Sequence, residues 1–308
     1  MKITLAENYG MCFGVRDALR KTYDLAATNT VTVLGQLVHN PAVDAQLDAL
    51  GVERGELHPP GDVPAPDTKP GQSPPIMLIT AHGAADRDRQ AWRQRGHRLE
   101  DTSCPLVRKA HNALAQLVLS GHFPVVIGKR DHVEVRGLTG DFPEAVVILE
   151  DSDVETLPFN EKIGVISQTT QPIDRVEVIV AAIRRRHPTA EVRFVDTVCQ
   201  PTKDRQRAIG ELSRSNQVVV VVGGQNSNNT AQLANSARDH GAVAYHVSGP
   251  EEIDPDWFHG IERVGITAGT STLEETVQQV RQRIEEIDRK ARHGNTRLRT
   301  GHPAQAIC

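Results

Sequence analysis

The chain has 308 residues, 38% of them hydrophobic and 24% charged, a balance that suits a globular protein of two or three domain-sized units. With 35 Lys and Arg against 39 Asp and Glu, a formal net charge of −4 and only 4% aromatic residues, it offers neither the basic surface nor the stacking platforms that nucleic acid or an anionic membrane would require. No run reaches the roughly 18 apolar residues of a membrane span. The first fifteen residues carry no long apolar stretch or cleavage site, so the expected location is the cytoplasm, where four cysteines read as ligands or reactive thiols before disulfides.

Strand-like and helix-like runs alternate throughout, which predicts an α/β protein with largely parallel sheets. A first extended segment runs up to Cys12, and Val31-Thr-Val-Leu-Gly35 then leads to His39. Residues 58–75 hold seven prolines and two glycines and are expected as an extended surface loop. Ile76-Met-Leu-Ile-Thr80 leads to His82, and Asp101-Thr-Ser-Cys104 ends the next extended segment. The pattern then repeats. Val125-Val-Ile-Gly128 leads to His132, Ile163-Gly-Val-Ile166 to Thr169 and Thr170, and Asp196-Thr-Val-Cys199 closes that stretch. Finally five valines and two glycines, 218–224, lead to Ser227, and Val264-Gly-Ile266 leads to Ser271. Residues 289–308 are basic and polar, end in Cys308, and are expected as a mobile tail.

The spacing is that of a coarse internal repeat. Cys12 and Cys104 are 92 residues apart, Cys104 and Cys199 are 95 apart. His39, His132 and Ser227 follow their cysteines by 27, 28 and 28 residues, and His82, Thr169 and Ser271 follow by 70, 65 and 72. Three pseudo-threefold-related αβ units are therefore expected, 15–103, 104–197, and 198–288 joined by 1–14. Each places polar residues at the C-terminal ends of its strands, the edge where parallel sheets take ligands, and the three edges can face one central cavity.

Thiolates are the usual ligands of iron–sulfur clusters, and the short Cys-x-x-Cys spacings of ferredoxins and zinc ribbons are absent, so a shared site has to be assembled from distant segments. Three protein ligands on a four-iron cluster leave one iron open to a substrate oxygen. Spacing alone leaves two alternatives: cysteines that act only as small buried hydrophobes, and a structural zinc, ordinarily four-coordinate with locally spaced ligands. Cys308 is placed outside the set because of its tail.

His39, His82 and His132 would each pass alone for a hydrogen-bonded surface histidine; at equivalent repeat positions they suggest anion binding. Ser227-Asn228-Asn229-Thr230 precedes a predicted helix over 231–240. Thr270-Ser271-Thr272 precedes another over 273–287, with Glu275 as capping-box partner of Thr272. Both turns present hydroxyls and helix N-terminal amides. Plain capping explains either one, but together with the histidines they point to a phosphorylated substrate. Glu134, two residues after His132 on what reads as an extended segment, is expected on the same face. A dry setting would raise its pKa and let it donate protons, and a salt bridge to Arg136 is the alternative. Thr169 or Thr170 is placed to relay that proton. No G-x-G-x-x-G or P-loop is present, so electrons are expected from a separate carrier protein.

Nine motifs occur in one order: Gly10-Met-Cys12-Phe-Gly-Val15, Val38-His39-Asn40, Ala81-His82-Gly83, Thr102-Ser-Cys104-Pro-Leu-Val107, His132-Val-Glu134, Gln168-Thr169-Thr170, Cys199 with Arg205-Gln206, Asn226–Asn229, and Thr267-Ala-Gly-Thr-Ser271. Over roughly residues 1–285 the chain thereby resembles the 4-hydroxy-3-methylbut-2-enyl diphosphate reductases of the non-mevalonate isoprenoid pathway. The resemblance implies a trefoil of three αβ domains around one [4Fe–4S] cluster held by Cys12, Cys104 and Cys199. It implies a substrate diphosphate held by His39, His82, His132, Ser227, Asn228, Asn229 and Ser271. Glu134, Thr169 and His132 then stand at the reacting end, with Glu134 as proton donor and Thr169 near the substrate alcohol. The implied reaction removes an allylic hydroxyl with two electrons and two protons, with ferredoxin or flavodoxin as donor. The chain departs from the family pattern at His132-Val133-Glu134, where His-Pro-Glu is usual, and at Asn228, Met11, Pro41 and the Thr-Leu-Glu after Ser271. Two alternatives stay open: a non-redox cluster lyase or dehydratase, and a paralogue acting on a related allylic diphosphate.

Overall fold

The computed structural model describes residues 1–38, 40–57 and 74–299. His39, nearly all of the proline-rich stretch 58–75 and Cys308 lie outside the described residues. The chain opens on β1 (Lys2–Leu5) and α1 (Phe13–Ala26). It then runs through β2 (Val31–Leu34), α2 (Pro41–Ala49), β3 (Glu53–Gly55), β4 (Ile76–Ile79), α3 (Asp86–Gln94) and β5 (Arg98–Asp101). Next come α4 (Pro105–Leu119), β6 (Phe123–Ile127), α5 (Val133–Thr139), β7 (Val146–Ile148), β8 (Lys162–Ser167), α6 (Ile173–Arg186) and β9 (Glu191–Phe194). The last stretch holds α7 (Gln200–Ser215), β10 (Val218–Val222), α8 (Asn228–Asp239), β11 (Val243–Val247), β12 (Arg263–Ala268) and α9 (Glu274–Arg299).

The strands form three four-stranded sheets ordered β3-β2-β4-β5, β7-β6-β8-β9 and β11-β10-β12-β1, all paired parallel. In the first two sheets the spatial order is second, first, third, fourth strand of the unit. The third sheet has the same order, with β1 from the start of the chain in the fourth place. The three αβ units expected from the cysteine spacing are thus one topology used three times.

Parallel sheets covered on both faces read as near-continuous apolar runs. β10 is five valines and β2 is Val-Thr-Val-Leu, and every residue of both is buried. The covering helices show their core faces at intervals of three and four residues, as Val107, Ala110, Leu114 and Leu117 do on α4. By packing, residues Cys12–Asp204 form one compact unit with the first two sheets, and Met1–Met11 with the residues from Arg205 onward form another with the third. α9 continues through Arg299, so residues 289–299, expected in a tail, are helical. Ion pairs one turn apart, Arg281 with Glu285 and Arg292 with Asp288, lend local stability that does not depend on an apolar stripe.

Candidate active site

In open parallel sheets the strand order reverses between the first and third strands, and the crevice beyond their carboxyl ends takes the ligand. Among the described residues, those beyond the first strand of their units include His132 and Ser227, and His39 holds the matching place in the sequence only. Those beyond the third include His82, Thr169 and Ser271, and those beyond the fourth are Cys104, Cys199 and Cys12. The sequence repeat is therefore a repeat of position on the sheet edge.

Two of the cysteine turns are built alike. Asp101 Oδ1 accepts from Ser103 N at 2.8 Å, and Asp196 Oδ1 accepts from Val198 N at 3.0 Å. The intervening threonines reach back to the third strand: Thr102 Oγ1 donates to Ile79 O and Thr197 Oγ1 to Ser167 O, both at 2.6 Å. The cysteine amides then bond to the loop beyond that strand, Cys104 N to Ala81 O and Cys199 N to Thr169 O, both at 3.0 Å. The Asp-Thr-x-Cys signature is thus a turn that seats each cysteine against the loop carrying His82 or Thr169. Burial pushes the Asp101 carboxyl up, but bonds from Ser103 and the charges of Arg89 and Arg108 hold it below the usual carboxylate range.

Glu134 is fully buried, and both carboxyl oxygens are taken by one residue. Thr169 N donates to Oε1 at 2.7 Å and Thr169 Oγ1 to Oε2 at 3.0 Å. Burial raises its pKa to about 7 against the lowering pull of those two bonds. The expected alternative, an ion pair with Arg136, is not formed: Arg136 is exposed on the other side of α5. Thr170 faces Gln168 instead, accepting from its Nε2 at 3.1 Å. The segment is also not extended. His132 is the N-cap of α5, its Nδ1 accepting from Glu134 N at 3.2 Å, and Glu134 lies in the first helical turn. An acidic residue in a first turn is helix-favouring, a preference that the β-branched Val133 and Val135 obscured. With Nδ1 as acceptor, the proton of the neutral ring sits on Nε2.

The rings of His82 and His132 meet edge-to-face with centroids 5.6 Å apart. Close packing of the end of α5 on the loop beyond His82 needs glycine at one position: a Cβ at Gly140 would lie 2.5 Å from that of Ala85, whereas one at Gly137 would make only ordinary contact with Ala84 at 3.5 Å. Asp141, just beyond α5, accepts from Asp86 N and Arg87 N at 2.7 and 3.0 Å and so caps α3. Gln168, to which the sequence assigned no role, ties these loops together. Its Oε1 accepts from Lys129 N at 3.2 Å and from Gln171 Nε2 at 3.1 Å.

In the other unit, Ser227 caps α8 by accepting from Thr230 N at 3.3 Å. Behind it Asn229 and Thr230 are buried, and Asn228 Nδ2, Asn229 Nδ2 and Thr230 Oγ1 make no hydrogen bond among the described residues. Gly223 and Gly269 close on Thr230 so tightly that a Cβ on either would collide with its hydroxyl. Unmet amide donors at a helix N-terminus are what an anion requires. Ser271 is buried, but the capping box expected at Thr272 does not form. Thr272 Oγ1 donates to Val222 O at 2.9 Å, the carbonyl that also accepts from Gly269 N at 2.9 Å, and α9 begins at Glu274, so the hydroxyl is spent on the end of β10 instead of on the helix.

Cys12, Cys104 and Cys199 are free, half-buried, and each immediately precedes a helix, α1, α4 and α7. Burial pushes the Cys199 thiol up to about 11, with Thr202 opposing and Glu134 and Cys12 adding. Burial likewise raises Cys104, opposed by the first amides of α4 and reinforced by Cys12 and Glu134. Cys104 and Cys199 thus each feel the charges of Cys12 and Glu134. Those two thiols stay protonated at neutral pH unless a metal takes the proton's place, and a helix N-terminus favours the anionic form. In donor type and setting the three suit an iron–sulfur cluster. Among the described residues no three His, Cys, Asp or Glu side chains are drawn together tightly enough to hold a single metal ion.

A family model described as LytB protein matches residues 3–285. A 4-hydroxy-3-methylbut-2-enyl diphosphate reductase of Aquifex aeolicus is 32% identical over 293 residues, covering 92% of this chain and 96% of its own. One from Geobacter sp. (strain M21) is 34% identical over 291 residues, 94% of this chain and 99% of its own. A solved (E)-4-hydroxy-3-methyl-but-2-enyl diphosphate reductase, described as the terminal enzyme of the non-mevalonate pathway, superposes with TM-score 0.65 at 31% identity over 93% of this chain and all of its own. The corresponding reductase of Plasmodium falciparum, TM-score 0.83 over 91% of this chain and 86% of its own, shares the fold at 24% identity. With sheet order, repeated cysteine turns and matches along nearly the whole chain in agreement, the protein belongs to the LytB family.

Proposed function

We propose that this protein is an iron–sulfur reductase that removes the allylic hydroxyl of 4-hydroxy-3-methylbut-2-enyl diphosphate, yielding isopentenyl and dimethylallyl diphosphates. The observation that carries the reading is the buried acid Glu134, half-protonated near neutral pH, gripped by Thr169 and within electrostatic reach of Cys104 and Cys199. That the relatives matched along nearly their whole length are 4-hydroxy-3-methylbut-2-enyl diphosphate reductases supports the substrate.

Cys12, Cys104 and Cys199 are the residues that would hold a [4Fe–4S] cluster; when bound, such a cluster supplies the electrons and an iron with no protein ligand as a Lewis acid for the hydroxyl oxygen. His39, His82 and His132, with Ser227, Asn228, Asn229 and Ser271, bind the diphosphate, whose charge contributes binding energy away from the reacting carbon. Glu134 delivers a proton to the departing oxygen, and the Thr169 hydroxyl, bonded to Glu134 Oε2, orients the alcohol and passes the proton on. In balance, the C–O bond breaks, a C–H bond forms at one end of the allyl unit, water leaves, and two electrons and two protons are consumed. The electrons come from an external carrier such as ferredoxin or flavodoxin, in the cytoplasm.

The test is an anaerobic assay of protein purified without oxygen, with this diphosphate and a low-potential reductant, alongside iron and sulfide analysis. Reductant-dependent formation of both products is expected. Turnover without reductant would make the protein a lyase, and a colourless protein with stoichiometric zinc would end the cluster reading. Glu134→Gln should keep iron and substrate binding and lose most turnover.

A further inference from the structure

Arg89 looks in the sequence like one more charge on the polar helix Asp86–Gln94, yet its side chain is only 12% exposed. Its guanidinium spans two separate stretches of chain. Nη1 donates to the carbonyl of Ala84 and, at 3.2 Å, to Asp86 Oδ1. Nε donates to Asp101 Oδ2 at 3.1 Å and Nη2 to Ser103 Oγ at 3.2 Å. Ala84 lies two residues beyond His82, and Ser103 immediately precedes Cys104.

The turn does not need Arg89 for its own shape. The equivalent turn at Cys199 has the same Asp-to-amide bond, the same threonine bond and the same basic partner seven residues on, Lys203 to Asp196, as Arg108 to Asp101. Arg89 is therefore an addition to the Cys104 turn, and what it adds is a second, side-chain tie to the neighbouring loop beyond the Cys104 N–Ala81 O bond.

We propose that Arg89 is a positioning residue that locks the His82 loop to the Cys104 turn, so that the anion-binding and sulfur-bearing sides of this unit keep one spacing. The proposal rests on the roles given above to His82 and Cys104. Lysine cannot replace it: a single ammonium lacks the rigid planar fork that reaches Ala84 O, Asp101 and Ser103 at once.

Hydrogen–deuterium exchange of the anaerobically purified protein tests this directly. Arg89→Gln should speed exchange on the order of ten-fold, the loss expected for charge-assisted bonds, in peptides covering 80–85 and 101–105. Peptides covering 163–170 and 196–199 should not change. Affinity for inorganic pyrophosphate should fall by a similar factor, and the electron paramagnetic resonance spectrum of the reduced protein should shift. Arg89→Lys should give an intermediate result, and Arg87→Gln, on a side chain 62% exposed, none. If Arg89→Gln does not fold, Ser103→Ala removes the Nη2 contact together with the Ser103 hydroxyl's bond to Asp101, leaves the other Arg89 bonds in place, and should show the same local pattern more weakly. Unchanged exchange in the two peptides, or a uniform rise over the whole chain, would overturn the proposal. Wild-type protein that binds neither pyrophosphate nor iron would overturn the functional reading instead, and the local exchange pattern would still decide whether Arg89 ties the two segments.

Discussion

Gly14 offers a one-methyl test of the cysteine geometry. It is buried in the first turn of α1, and a Cβ there would lie 2.5 Å from Cys104 Sγ and 3.1 Å from Cys104 Cβ. Ordinary contact starts at 3.4 Å, so in Gly14→Ala the sulfur has to retreat by about 1 Å. In metal-free protein the thiol can do so by rotating about χ1. Overpacking of this kind costs about 1–3 kcal/mol, and alanine in a helix recovers up to about 1 kcal/mol. The net loss should be on the order of 1 kcal/mol, or roughly 2–4 °C in Tm for a chain of this size. A sulfur committed to a cluster has no such escape. Gly14→Ala should therefore fold nearly normally without iron and fail to hold a full cluster. The assay pairs urea unfolding of the metal-free protein with iron, sulfide and visible absorption after anaerobic reconstitution. A variant that reconstitutes fully, with wild-type absorption and cluster lifetime, would refute the claim that Cys104 Sγ is a fixed ligand packed on α1. A variant unfolded in both forms would place the defect in the core instead.

Glu134 should leave a mark on stability against pH. Its folded pKa is raised from the ordinary 4.5 to about 7, so between those values the folded protein holds a proton that the unfolded chain has released, and stability falls as pH rises through that window. A rise of that size corresponds to about 3 kcal/mol. Metal-free Glu134→Gln should gain about that much on wild type between pH 4.5 and 8 in urea titrations, and parallel curves would contradict the burial argument. Asn229→Ala should weaken pyrophosphate binding about ten-fold while leaving the unliganded fold equally stable or slightly more so, because it removes a buried donor without a partner; calorimetry and thermal unfolding report the two signs separately. Cys308→Ser should leave iron content unchanged, and a loss of iron would bring Cys308 into the ligand set.

The fold was legible because parallel strands buried on both faces must be apolar throughout, and the polar residues that end them stand out at a fixed interval. The cysteine spacing and the Asp-Thr-x-Cys turns follow from that edge. Residues whose role depends on an unrelated partner were not legible. Arg89 sits among charges in Asp-Arg-Asp-Arg, and nothing local marks it as buried. Gln168 borders two threonines that look more reactive, while its own work is to bond the backbone of a distant loop. At His132 the segment reads as extended because a histidine acting as N-cap acceptor carries no strong local signal of a helix start. At Thr272 a correct capping-box pattern lost to a carbonyl on β10, fifty residues away in sequence, which local rules cannot weigh.

Thr169 links the proposed proton donor directly to the turn of a proposed cluster ligand. Its amide and hydroxyl are both spent on Glu134, and its carbonyl receives Cys199 N. One residue thus fixes the acid by two bonds and the cysteine turn by a third. The Cys199 turn and the Glu134 carboxyl are thus one residue apart along these bonds. Thr169→Val separates the two duties. It removes the Oγ1 bond and leaves both backbone bonds in place, so iron content should stay at the wild-type level while turnover falls and the Glu134 pKa rises further. Thr169→Ser, which restores the hydroxyl, should recover most of the rate. If Thr169→Val instead loses iron as well as turnover, the hydroxyl supports the Cys199 turn, and the proton route through Thr169 has to be given up.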